Sequence, residues 1–162
     1  MKKYDAVITS GYFDPIHVGH IEYLRKAKEL GQVHLVIVNN DGQAKLKKGR
    51  SFMPEGERLE IVKALACVDE AIPSLDEDET VRGTLAFAFF LFSSKGIDLS
   101  KVAFCKGGDR FTGEIPEAEI CRKFGVDIVD GLGDKIQSSS RLTGLSRDTI
   151  ARYTAGQSEE LS

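Results

Sequence analysis

The chain has 162 residues, 41% of them hydrophobic, which is enough for one domain with a real core and short for two. A formal net charge of −3 excludes a protein built to coat nucleic acid or an anionic membrane, although a phosphate ligand needs only a few local cations. The opening MKKYDAVITSGYF has too short an apolar run for a signal peptide, and the longest apolar run, 85–92, is far shorter than a membrane span.

In chain order, a first strand is expected over residues 6–9, ending at Ser10-Gly11. A helix over 18–30 follows, with Ile21, Leu24, Ala27 and Leu30 at helical spacing and Gly31 as its C-cap. Residues 33–38 are β-branched and continuous, as in a strand covered on both faces. Residues 39–52 read as a polar, Lys-rich loop. Pro54 opens a helix to Cys67, 70–72 form a short third strand, and 80–93 form a buried apolar helix. A fourth strand over 101–106 ends at Gly107-Gly108-Asp109. A helix over 116–124 closes at Gly125, a fifth strand covers 126–129, and a last helix runs from 139 to about 154 before a tail that frays from about 155. Cys67, Cys105 and Cys121 are widely spaced, have no metal-ligand spacing, and read as thiols in a reduced, cytoplasmic setting.

About five strand–helix alternations predict an α/β fold: a Rossmann-like, doubly wound parallel sheet with helices on both faces. Strand C-terminal ends then share one edge, where such sheets bind ligands. Four features fall there: residues 11–20, the Lys-rich loop, residues 107–109 and residues 138–140. In the first, His17 and His20 lie at i and i+3 on the opening turn of a helix, with Gly19 leaving that surface bare. Backbone NH groups at a helix start attract anions, so two imidazoles there suit a phosphate in transfer. Each feature also has a plainer reading. Residues 45–50 could be a solvated loop, Arg58 could pair with Glu55 or Glu57, Asp109 could be a turn residue, and residues 138–140 could be an N-cap.

The stretch GYFDPIHVGH, residues 11–20, resembles the signature of the cytidylyltransferase-like nucleotidyltransferases, in which a strand ends in Gly-x-Phe-Asp and His-x-Gly-His follows. Other pieces match in order: Asn40-Asp41 resembles the family's "SD" or "TD" pair, KKGR at 47–50 its basic loop, and EGERLEIVKALACVDEAIP its "E-x-R" helix and "VDEV" strand. CKGGDR at 105–110 resembles "KGGDY" of the heptose-phosphate adenylyltransferase domain, and SSSRL at 138–142 the "STT" or "SST" motif. The arginine-threonine pair that precedes the serine motif in glycerol-3-phosphate cytidylyltransferases is absent, and there is no tryptophan.

The resemblance implies one nucleotidyltransferase domain over residues 1–162. The reaction it implies moves a nucleoside monophosphate from a triphosphate to a small phosphorylated sugar or polyol. The acceptor attacks in line and pyrophosphate leaves. His17 and His20 would donate to phosphate oxygens, with Lys47 or Lys48 neutralising the triphosphate. Nucleotide contacts would come from Gly11, Tyr12, Phe13, Asp14, Gly19, Arg58, Gly107, Asp109, Ser138, Ser139 and Ser140, and acceptor contacts from Asp14, Asp41 and Arg110. Mg²⁺ would bridge phosphates and keep most of its waters, without a side-chain cluster of its own. KKGR, DEDETV and CKGGDR point to the heptose branch and ATP, whereas the Asp41–Lys47–Arg58 spacing points to the glycerol-phosphate branch and CTP. ATP is the first choice of the two. The expected partners are these small molecules, with neither nucleic acid nor membrane, and with a homodimer as in many family members. A non-catalytic nucleotide sensor is the alternative of another class; it would be free to lose the histidines and the basic loop, and both are present.

Overall fold

The computed structural model describes residues 2–108, 115–133 and 142–143. Among them, five strands form one parallel sheet: β1 (Tyr4–Gly11), β2 (Gly31–Val38), β3 (Glu70–Pro73), β4 (Val102–Gly107) and β5 (Asp127–Leu132), in the order β3-β2-β1-β4-β5. β1 is central, and its Ile8 lies opposite Leu35 of β2 and Phe104 of β4. The near-continuous apolar runs of β1, β2 and β4 are explained by this placement, because helices cover both sheet faces. One face carries Ala6, Ile8, Leu35, Ile37 and Phe104 under the helices α4 (Arg82–Ser94) and α5 (Ala118–Phe124). The other carries Val7, Val36, Val38, Ala103 and Cys105 under α1 (Val18–Leu30) and α3 (Glu55–Lys63). The order reverses between β1 and β4, so their C-terminal ends diverge into the crevice where ligands bind in such sheets.

Several boundaries differ from the sequence expectations. The Lys-rich stretch is not a loop: Asp41–Lys48 forms a helix, α2. Asn40 accepts from the Gln43 NH, and the Gln43 side chain accepts from the Asn40 NH, a reciprocal cap that offsets a lysine-heavy composition. α3 ends at Lys63, four residues before the expected Cys67. Gly31 does donate to the Lys28 carbonyl but is extended, and a Cβ there would meet a Val7 methyl at 2.8 Å. Close approach of β2 to β1, not a left-handed cap, is what requires glycine. Gly125 is the left-handed cap of α5, with φ of 71°. The apolar helix α4 is only half buried: Leu85, Ala88 and Phe89 enter the core, while Phe87, Phe90 and Leu91 face outward. No helix among the described residues is long and apolar enough to cross a membrane.

Candidate active site

The turn after β1 is tightly determined. Phe13 has φ of +52° and is buried, and the Asp14–Pro15 bond is cis. A Cβ on Gly11 would stand 2.8 Å from the Phe13 ring, so that ring packs where only glycine leaves room. The Phe13 ring meets His20 edge-on at 5.0 Å. His17 is the N-cap of α1: its Nδ1 accepts from the Gly19 NH at 3.1 Å, and Nδ1 of His20 accepts from the His17 NH at 3.2 Å. The two rings stack with centroids 3.8 Å apart. With both Nδ1 atoms accepting from backbone, the neutral rings carry their protons on Nε2. Two N–H donors thus leave one helix N-terminus from the far edges of a stacked pair.

The two lysines separate. Lys48 is buried, with Nζ 2.7 Å from Asp14 Oδ2 and 2.8 Å from the Asp14 carbonyl oxygen. Lys47 is exposed, and its Nζ lies 4.4 Å from the centroid of the Tyr12 ring. Asp14 itself is fully buried, and its carboxylate also accepts from the Phe52 and Met53 NH groups at 2.8 and 2.6 Å. These contacts make Asp14 an internal anchor that ties three segments together. Arg58 is likewise interior. Its guanidinium donates to the carbonyls of Met53, Tyr12 and Asn39 at 2.9, 2.7 and 2.7 Å, and to Asp41 Oδ1 at 2.7 Å. Its partner on this side of the sheet is Asp41 rather than Glu55 or Glu57, and its side chain is wholly buried. Burial pushes the Asp41 carboxyl up, but hydrogen bonds from Arg58, the Glu55 NH and Ser51 outweigh that and hold it below the usual range. Asp41 keeps 39% of its side chain exposed.

At the crevice, Gly107 abuts Tyr23: a Cβ there would meet the Tyr23 ring at 3.0 Å and the Leu132 carbonyl at 3.2 Å. Tyr23 was not singled out by sequence reasoning. Its hydroxyl donates to the Cys105 carbonyl and accepts from the Ser10 NH, linking the ends of β1 and β4. Gln43 was also missed, and Asn40 was noted only in a motif pair, not as a cap. Asn40 Nδ2 donates to the Ser74 and Asp76 carbonyls, and Gln43 Nε2 to those of Asp78 and Thr80, which fastens α2 to the acidic loop after β3. Lys106, on the last turn of β4, has its amine held below the ordinary lysine range by burial, only partly opposed by Glu117. Asp109, Arg110, Ser138, Ser139, Ser140 and the expected C-terminal helix lie outside the described residues.

The histidines of the pair are both held below the ordinary imidazole range. Burial first, then the charges of His17, Lys47 and Lys48, hold His20 down to about 3, and burial lowers His17 as well. His34 is a third case. Its Nδ1 donates to the Cys67 carbonyl at 2.7 Å and its Nε2 accepts from the Thr9 hydroxyl at 2.8 Å, the opposite tautomer, with burial again lowering it. In the unfolded chain all three titrate near 6.5. A depressed native pKa contributes stability above that value and loses it as pH falls below. Stability should therefore decline between pH 6.5 and 5, with His20 accounting for at most about 2 kcal/mol at pH 5. Denaturant unfolding at pH 7.5 and 5.0 measures the loss, and ¹⁵N chemical shifts report the tautomers. Equal stability at both pH values would contradict neutral burial.

A crevice at the reversal of a parallel sheet, entered by paired N–H donors from a helix N-terminus and flanked by lysine, defines a phosphate-handling nucleotide fold. Residues 8–132 match the family model described as cytidylyltransferase-like, and the chain belongs to that family of nucleotidyltransferases. It is 34% identical over 146 residues to the bifunctional protein HldE of Geobacter metallireducens, a match that covers 89% of this chain and 26% of that protein. It is 47% identical over 72 residues to the FAD synthase of Thermococcus sibiricus, covering 44% of this chain and 49% of that one. The chain thus spans about a quarter of the length of the bifunctional relatives. Among solved structures, the lipopolysaccharide core biosynthesis protein of Thermoplasma volcanium superposes with a TM-score of 0.56 at 26% identity, over 80% of this chain and 98% of that one.

Proposed function

We propose that this chain transfers a nucleoside monophosphate, AMP first, from its triphosphate to the phosphate of a small sugar or polyol, releasing pyrophosphate. The observation that carries the reading is the stacked His17–His20 pair, which directs two Nε2–H donors from one helix N-terminus. Such donors, fixed before the substrate arrives, stabilise charge that grows on α- and β-phosphate oxygens as the acceptor attacks in line. Because both rings are neutral, they donate without bringing a charge that substrate would have to desolvate. Lys47 supplies the mobile positive charge, since Lys48 is occupied by Asp14. The relatives named HldE and FAD synthase support adenylyl transfer over cytidylyl transfer. Of the Asp41–Lys47–Arg58 spacing that suggested CTP, Asp41 and Arg58 form an ion pair with each other.

Mg²⁺ in this reading arrives with the triphosphate. Among the described residues no group of three or more His, Cys, Asp or Glu could hold a metal, and the Asp14 carboxylate is taken by Lys48 and two backbone NH groups. The three cysteines are free thiols, in keeping with a reducing cytoplasm. Light scattering checks the homodimer that the resemblance implies.

The test is a pyrophosphate-release assay with Mg²⁺, crossing ATP, CTP, GTP and UTP with sugar and polyol phosphates that include heptose 1-phosphate and glycerol 3-phosphate. Release that requires ATP and one sugar or polyol phosphate together is the expected result. Release that requires CTP instead would move the chain to the glycerol-phosphate branch. Nucleotide binding with no turnover across the panel would favour a sensor.

A further inference from the structure

We propose that the outward face of α4 is an interface between two copies of this chain, joined antiparallel about a two-fold axis so that Phe90 of each enters the groove between α4 and α5 of the other. The proposal does not depend on the reaction assigned above.

α4 carries more apolar surface than the core takes. Leu85, Ala88 and Phe89 are buried, yet Phe90 stays 67% exposed, Phe87 46% and Leu91 39%. Gly83, Ala86, Phe87 and Phe90 lie at i, i+3, i+4 and i+7, so they share one stripe of the helix. The first half of that stripe is small and the second half is large. Beside the small half lies a groove of about 380 Å³, lined by Arg82, Gly83 and Ala86 and by Glu119, Ile120 and Lys123 of α5. Single apolar residues on a surface need no explanation, but adjoining aromatic ones next to an open groove mark an interaction site.

The order of sizes selects the occupant. A two-fold axis between residues 86 and 87 sets Phe90 of one copy against Gly83 of the other, and Phe87 against Ala86. Each large residue meets a small one, which is the self-complementarity that an isologous contact requires. A ring that enters the groove rests on Ala86 and Ile120, between the stems of Arg82 and Lys123. The Asp76 carboxylate behind Gly83 already accepts from the Gly83 and Thr84 NH groups, so the ring does not strand it. Charge selects the same orientation. α4 begins after the exposed acidic residues Glu77, Asp78 and Glu79, and it ends at the exposed Lys95. Antiparallel pairing brings each of these ends to the other and opposes the two helix dipoles. A parallel pair would instead set Phe90 against Phe90 and like charge against like charge. The contact is one helix pair wide, which places it among small, concentration-dependent interfaces.

The experiment is sedimentation equilibrium of the full chain. The parent should dimerise with a dissociation constant on the order of 10–100 μM. Phe90→Glu should weaken the dimer about 100-fold or more, because a carboxylate would have to enter the groove unpaired. Ala86→Phe fills the groove while making the face more apolar, so it should also abolish the dimer, whereas unspecific adhesion would grow. Position 90 is exposed, so Phe90→Glu keeps the test if Ala86→Phe fails to fold. In a Cys67→Ser background, a nitroxide on Ser94→Cys of one copy should broaden the amides at the start of α4 in a second, ¹⁵N-labelled copy. Broadening at the end of α4 instead would overturn the antiparallel register. A dimer that survives both face substitutions would place the association elsewhere and overturn the proposal. A parent that stays monomeric up to about 1 mM would overturn it too. Pelleting of that monomer with phosphatidylglycerol vesicles would then give the face to lipid, and failure to pellet would give it to the chain's own residues 144–162.

Discussion

Alanine at His17 or at His20 is expected to lower turnover about 10²- to 10³-fold, the scale seen when one preorganised donor to a developing oxyanion is removed. The two losses should not multiply in the double variant, because the rings stack at 3.8 Å and each Nδ1 holds backbone next to the other. Both histidines also cap α1, so alanine costs about 1 kcal/mol of stability as well. His17→Asn and His20→Gln separate the two effects. Each keeps an acceptor for the backbone NH, and neither carries a ring N–H on the far side. Their thermal unfolding should match the parent within a few degrees while pyrophosphate release collapses. Near-normal turnover in either would remove the histidines from the chemistry and leave them as a helix cap.

The part of the fold that was legible in the sequence is the part governed by continuous apolar pattern. β1, β2 and β4 are covered on both faces, so each reads as an unbroken apolar run and the alternation with helices follows. The His17–His20 pair was legible as two imidazoles on the opening turn of a helix, but not as a reciprocal cap. Histidine rarely stands where Ser or Thr and Glu usually form the reciprocal box, so nothing in the spacing announced that each Nδ1 is committed to backbone. α2 was hidden for the opposite reason. Its signal was present, Asn40 followed three residues later by Gln43, but four lysines and arginines over 45–50 masked it. Reading that stretch as a loop also left Lys47 and Lys48 equivalent. On a helix, neighbours differ by about 100° in direction, so one of them turns to Asp14 and the other to the Tyr12 ring. The internal partners of Asp14 and Arg58 were not legible, because charged residues beside a binding motif look alike in one dimension. Their partners lie across chain separations of up to 46 residues, a distance over which local pattern carries no information.

Asp14→Ala is expected to produce the largest loss of stability of any substitution at the site. Asp14 is fully buried, and its carboxylate faces Lys48 Nζ at 2.7 Å, the Phe52 and Met53 NH groups, and Arg58 Nε at 4.0 Å. Removing it strands the ammonium of Lys48, only 9% exposed, beside a buried guanidinium, and orphans two backbone donors. Breaking a buried pair in this way costs about 3–5 kcal/mol, which in a domain of this size is about 10 °C in melting temperature. Lys48→Met added to Asp14→Ala should recover part of that loss, because the stranded charge goes and an apolar stem remains. Recovery identifies the pair as the cause, since two unrelated defects would add. If Asp14 also held metal or acceptor, the rescued double variant would in addition show a shifted Mg²⁺ or acceptor dependence. The internal role thus predicts that unfolding, read with no substrate present, already reports the damage. The turn 11–20 would lose its floor, and with it the register of His17 and His20, so catalysis would fall as a consequence of position.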